Sequence, residues 1–145
     1  MPTRRGANRQ DNVINQQVLA KQLELAGCSS AIAANGIEAL QALERSQYAR
    51  DAPSDAAVFD VCLMDIEMPI MDGLTACHRI RSLENEGAIK TRVPLIAVTA
   101  NARAEQIQQM VDHGFDDVLT KPFRVPTLLA MVEKLLLKFA QQGLR

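Results

Sequence analysis

The sequence predicts an α/β domain built on a doubly wound parallel sheet. From Asp11 onward the apolar period switches repeatedly between the helical and the extended type. Two nearly unbroken apolar runs, Val58 to Met64 and Pro94 to Val98, suit strands buried on both faces. Gly and Pro punctuate the switches. Strands and helices that alternate through short links imply parallel strands and right-handed crossovers. In such folds, ligands bind beyond the carboxyl ends of the strands.

The elements follow in order. Val13 to Ala26 carries Ile14, Val18, Leu19, Leu23 and Leu25 behind an Asp11-Asn12 cap, and Gly27 stands where a helix would end. A short strand, Ser30 to Ala33, leads through Asn35-Gly36 into a helix marked by Ile37, Leu40 and Leu43. Tyr48 to Asp55, with Pro53, reads as a surface loop and an insertion. After the buried run ending at Met64, Gly73 to Leu83 sets Leu74, Cys77 and Ile80 on one helical face. Ala102 to His113 is amphipathic and stops at Gly114. Val118 and Leu119 make a short strand before Lys121-Pro122, and the last helix opens near Pro126 and stacks Leu128, Val132, Leu135 and Phe139.

The first ten residues break the pattern. A doubly wound domain opens with an apolar strand, but Thr3, Arg4, Arg5, Gly6, Asn8, Arg9 and Gln10 cannot line a buried sheet. The expectation is a disordered tail over 1–10, a domain over 11–141, and strand edges and apolar surface left open where the opening strand belongs. A shortened or differently spliced form of a longer chain would look like this.

Composition narrows the function. The chain has 145 residues, 48% of them hydrophobic, enough for one core and one domain. Its 16 basic and 17 acidic residues give a net charge of -1, which recommends no nucleic acid partner. No apolar run approaches the roughly 20 residues that span a bilayer, and the polar start has no signal-peptide core. A cytoplasmic protein without a membrane partner is therefore expected. Cys28, Cys62 and Cys77 show no CxxC spacing and read as reduced apolar side chains. His78 and His113 read as helix-surface residues.

Asp11, Asp65, Thr99 and Lys121 fall at successive strand ends or at the segment replacing one, so the fold would gather them on one edge. Taken singly, a strand-end Asp or Lys reads as a loop cap or a solvated pair; at four successive ends the groups favour function. Asp65 leaves a buried strand where a rigid frame meets solvent, a good position for a nucleophile or a metal ligand. Two nearby carboxylates repel each other, and a hard cation such as Mg²⁺ relieves this. Phosphoryl transfer needs neutralised oxygens, an in-line nucleophile and fixed donors, which Thr99 and Lys121 can supply.

The stretches DNVINQQVLAKQLELAG, LMDIEMPIMDGLTACHRIR, VPLIAVTANA and GFDDVLTKPF resemble the signature blocks of response-regulator receiver domains in two-component phosphorelays, most of all receivers of hybrid histidine kinases. The likeness covers about Asp11 to Leu137. It implies a flavodoxin-like receiver fold of strand order 2-1-3-4-5, here with the first strand absent or degenerate. It also implies that Asp65 accepts a phosphoryl group from a phosphohistidine. Asp11, Asp65 and the backbone carbonyl of Glu67 would hold Mg²⁺, with Gln10 acting through a water. Thr99 would bond a phosphoryl oxygen in the activated state, and Lys121 would pair with the phosphate or the bare carboxylate. The Lys121-Pro122 peptide would be cis, and Asp72-Gly73 would turn into the third helix. A histidine kinase or histidine phosphotransfer protein would be the donor. A downstream protein would read the helices Ala102 to His113 and Pro126 to Phe139.

The chain departs from the family at two further positions. Gln10 stands where a second acid is usual, which removes a charge from the cation site. Val118 stands where Tyr or Phe is common, so an aromatic switch cannot operate in that form. A degenerate receiver that binds partners without phosphate is the competing reading. A phosphatase of the haloacid-dehalogenase type does not fit, because Glu67 and Pro69 occupy the positions where it needs Asp and Thr.

Overall fold

The computed structural model describes residues 16–33, 35–52, 54–56, 58–65, 73–100 and 103–142. Helix α1 is described over 16–25. There follow β1 (Ser30–Ala33), α2 (Gly36–Glu44), β2 (Val61–Asp65), α3 (Gly73–Glu86), β3 (Leu95–Thr99), α4 (Ala104–His113), β4 (Asp117–Thr120) and α5 (Val125–Gln141). The expected tail over 1–10 and the Asp72 half of the turn lie outside the described residues.

Local chemistry explains the boundaries. Asn35 caps α2 by accepting from the Glu38 amide at 2.9 Å. Pro126 sits in the first turn of α5, where a missing N–H costs nothing. Gly27 after α1 and Gly114 after α4 have φ of 87° and 121°, a region open to Gly and strained for other residues. Within α1, Leu23 is fully buried and Leu19 packs beside it, whereas Val18 and Leu25 are exposed. Two residues turn a helix by about 200°, so Leu25 cannot share the stripe of Leu23.

All neighbouring strands are parallel, and the sheet runs β1-β2-β3-β4. Each crossover steps the same way, so right-handedness puts α2, α3 and α4 on one face. Helices α1 and α5 cover the other. Side chains alternate accordingly. Cys62, Met64, Leu95 and Ala97 join the core under α2 to α4, and Val61, Leu63, Ile96 and Val98 join the one under α1 and α5.

Two expectations are corrected here. The strand edges flanking the missing position are not open, because Ser30 to Ala33 pair directly with Val61 to Met64. Buried backbone donors and acceptors need partners, and with no strand between β1 and β2 among the described residues they find each other. The segment after α2 is also more than a surface insertion. Tyr48 is buried, its hydroxyl donates to the Phe59 carbonyl at 3.0 Å, and the two rings lie 5.1 Å apart. Ala49 makes an antiparallel bridge to Ile89, which ties this segment to the end of α3. Phe59 turns in toward Tyr48, while Val58 is 70% exposed, so β2 starts three residues later than the apolar run suggests.

All three cysteines are free and buried. Burial first, and the neighbouring Cys77 second, push the Cys62 thiol from 9.0 up to about 12. Burial likewise pushes Cys77 to about 11, against the lowering effect of Arg81. Both folded values exceed the unfolded one, so the stability they contribute is complete below pH 9.0 and is lost as the pH rises through the folded values. Urea unfolding at about pH 8 and pH 11 is expected to show a drop that shrinks in Cys62→Ala. An equal drop in the two proteins would refute this assignment.

Candidate functional site

Parallel register gathers one group from each of three strand ends. Asp65 closes β2 and pairs in register with Val98, so Thr99 stands one residue further along β3. Thr99 in turn pairs with Thr120, the last residue of β4, and Lys121 follows. The Lys121 amide donates to the Thr99 carbonyl at 2.7 Å, which extends the ladder to the residue that bears the ammonium. Its Nζ donates to Asp65 Oδ2 at 2.5 Å. The Lys121-Pro122 peptide is cis.

The three groups differ in exposure. The Asp65 and Lys121 side chains are 34% and 41% exposed, and Thr99 is fully buried. An ion pair this wet contributes about 0–1 kcal/mol. The contact therefore does little for stability, and an incoming anion can exchange with it at small cost. Backbone bonds and the buried β2 and β3 ladders keep the groups in place.

Asp11, Gln10 and Glu67, the other expected cation ligands, lie outside the described residues. Among the described residues no cluster of three or more His, Cys, Asp or Glu could hold a metal. Asp65 supplies one hard carboxylate oxygen at a half-open strand end, a donor that suits Mg²⁺. The thiols are buried in the core, so they offer no softer alternative. Of the two histidines, His78 is exposed on α3, and His113 Nδ1 lies 2.8 Å from the Gln109 carbonyl within α4.

At the opposite end of the sheet lies a charged network that sequence reasoning missed. Asp116 Oδ2 accepts from Arg81 Nη2 and from the Leu95 amide, both at 2.9 Å. Its Oδ1 accepts from Arg92 Nη2 at 2.8 Å and Nε at 3.1 Å. Arg81 also donates to Glu84 Oε2 at 2.7 Å, to the Val93 carbonyl at 3.0 Å and to the Gly114 carbonyl at 2.9 Å. A Cβ on Gly114 would stand 2.9 Å from Arg81 Cγ, so only glycine admits this approach. The acidic doublet Asp116-Asp117 ahead of a short apolar strand was the available signal. Nothing in sequence spacing links it to Arg81, 35 residues earlier.

The chain matches the family model of the response regulator receiver domain over residues 10–133. It is 35% identical over 127 residues to hybrid signal transduction histidine kinase K of Dictyostelium discoideum, spanning 86% of this chain and 10% of that protein. Against transcription factor SKN7 of Saccharomyces cerevisiae it is 33% identical over 114 residues, 79% of this chain and 16% of that one. Thus the chain corresponds to a small part of these relatives' length. Among solved structures it resembles the receiver domain of sensor histidine kinase PA1611 from Pseudomonas aeruginosa PAO1, which has a magnesium ion coordinated in its active site cleft. That likeness has a TM-score of 0.64 at 32% identity and covers 85% of this chain and 88% of the other. A CheY-like receiver from Methanospirillum hungatei JF-1, at 23% identity and a TM-score of 0.70, shares the fold. No helix among the described residues is long and apolar enough to cross a membrane. The sheet, the family match over most of the chain and these likenesses lead to one conclusion: the chain belongs to the response regulator receiver domain family and is a receiver domain of two-component signalling.

Proposed function

We propose that this receiver takes a phosphoryl group from a phosphohistidine onto the Asp65 carboxylate. The contact between Lys121 Nζ and Asp65 Oδ2, at the carboxyl edge of the sheet beside Thr99, carries this reading. A carboxylate oxygen of Asp65 attacks phosphorus in line, and the O–P bond forms as the N–P bond breaks. The electron pair of that bond stays on the imidazole nitrogen, which takes up a proton from solvent. Lys121 shifts from the carboxylate to a phosphoryl oxygen, a charge-assisted bond in place of another. Thr99 leaves its buried position to donate its hydroxyl to a second oxygen. Water later attacks phosphorus, releases phosphate and restores Asp65.

Asp65, with Asp11 and the Glu67 carbonyl, would hold Mg²⁺, and Gln10 would orient one of its waters. Bound there, the ion would offset the negative charge of carboxylate and phosphoryl oxygens. Gln10 brings no charge, so the affinity is expected to be below that of a site with two acids. The donor is a histidine kinase or a histidine phosphotransfer protein, in the cytoplasm. The response is a population shift that a downstream protein reads on α4 and α5. Val111 on α4 and Leu137 on α5 are 45% and 61% exposed, which supports a partner on these helices.

The test uses Mg²⁺ and a small acyl phosphate as donor. The wild type is expected to form an acid-stable, hydroxylamine-sensitive phosphoprotein resolved on a phosphate-affinity gel, and Asp65→Asn none. A wild type that stays unlabelled while circular dichroism reports a folded domain would rule out the phosphoacceptor reading. It would leave an interaction module that works without phosphate.

A further inference from the structure

Strand β4 presents Lys121 to Asp65, yet it has four residues and pairs with β3 alone among the described strands. So short an edge strand frays and slips easily. One residue of slip moves the backbone by about 3.3 Å and exchanges faces. It would turn Val118 out of one core and Leu119 out of the other. The ion pair at the end of β4 cannot prevent this. At 41% and 34% exposure it is screened by solvent and weak, and the lysine stem is flexible.

The other end of β4 is held differently. The Asp116 amide donates to the Leu95 carbonyl at 2.9 Å, and the Leu95 amide donates back to Asp116 Oδ2 at 2.9 Å. This reciprocal pair fixes the register one residue before the ladder starts, where Ile96 meets Asp117. The carboxylate that closes it is 7% exposed and accepts four N–H bonds, three of them from the Arg81 and Arg92 guanidiniums. Arg81 in turn binds α3 to the turn at Gly114 and to the entry of β3 at Val93. The network thus fixes the start of β4 to three elements, and four residues of ladder transmit that register to Lys121.

Resting on the phosphoacceptor reading, we propose that Asp116 is a positioning residue for Lys121, setting the register of β4 so that the ammonium meets Asp65. Two properties should then follow Asp116 together: the rate of phosphorylation and the protection of the Lys121 amide, which donates to Thr99 at the far end of the strand. A clamp that served stability alone would lower the melting temperature without coupling to Lys121.

The experiment is a double-mutant cycle between Asp116→Asn and Lys121→Met, read as phosphorylation rate at saturating acyl phosphate with Mg²⁺. Amide hydrogen exchange by NMR is followed at Lys121 and, as control, at Val132 in α5. Asp116→Asn is expected to slow phosphorylation roughly tenfold in the wild-type background and by less than about twofold once Lys121 is Met. Exchange at Lys121 should speed up roughly tenfold while Val132 holds. Equal losses in both backgrounds, or unchanged Lys121 exchange, would overturn the proposal. Should Asp116→Asn unfold, Arg92→Gln removes only the outer donor, which is 36% exposed, and is expected to give a smaller version of both effects. Loss of folding in both variants would make the network purely structural and overturn the proposal as well. If the wild type accepts no phosphate, the phosphoacceptor reading fails, and the exchange arm still decides whether Asp116 holds Lys121.

Discussion

Arg81→Met is expected to destabilise the domain by about 3–5 kcal/mol, measured by urea unfolding followed by circular dichroism. Methionine keeps the apolar stem that lies close to Gly114 but withdraws every donor. It leaves the Asp116 carboxylate, 7% exposed, with Arg92 and one amide. It deprives Glu84, 13% exposed, of its ion-pair partner and leaves it with the Val93 amide. The carbonyls of Val93 and Gly114 lose a donor too. A small domain has about 5–15 kcal/mol in all, so roughly a fifth or more would go. The loss comes from removing one partner while the others stay charged and buried. Replacing all four charged residues by well-packed apolar ones could be neutral, because desolvation of the four is already paid in the native state. A loss under about 1 kcal/mol would mean that water reaches these carboxylates and that the network does not hold the strands.

Why was one end of the sheet legible in the sequence and the other not? Asp65, Thr99 and Lys121 each close or follow an apolar run, and parallel register turns consecutive run-ends into spatial neighbours. That rule needs the order of elements and nothing else. The network at the other end joins mid-helix Arg81 to Asp116 across 35 positions, through side-chain reach and a glycine that admits close approach. No periodicity encodes such a contact. Helices and strands were legible wherever burial has a period. In α1 Leu23 and Leu19 pack into the core while Val18 and Leu25, just as apolar in the sequence, stay exposed, because a run rich in apolar residues overstates the width of one face. Val58 lengthens the apolar run ahead of β2 in the same way, although it is exposed and precedes the strand. The closure of β1 onto β2 depends on hydrogen-bond satisfaction between distant segments, which hydropathy does not contain. The polar residues after Tyr48 read as a surface loop, whereas a hydroxyl that reaches the Phe59 carbonyl lets the ring of Tyr48 go under.

The ammonium end should respond in the opposite sense to the guanidinium end. Lys121→Met is expected to lower the phosphorylation rate about 10²–10³-fold while changing stability by less than about 1 kcal/mol. The stability half follows from exposure, since the pair with Asp65 is 41% and 34% exposed and its Coulomb energy is screened. The rate half follows from where charge develops. As the O–P bond forms, negative charge gathers on oxygens close to the one Lys121 already touches, and a donor fixed by the Thr99 ladder needs little reorganisation to follow it. Lys121→Arg should recover only part of the rate, because a planar fork cannot occupy the point position of an ammonium. Initial rates with an acyl phosphate, set against urea unfolding of the same samples, give both numbers. A lost rate accompanied by lost stability would make Lys121 a structural residue, whereas an unchanged rate would remove it from the chemistry and leave charge stabilisation to the cation and Thr99.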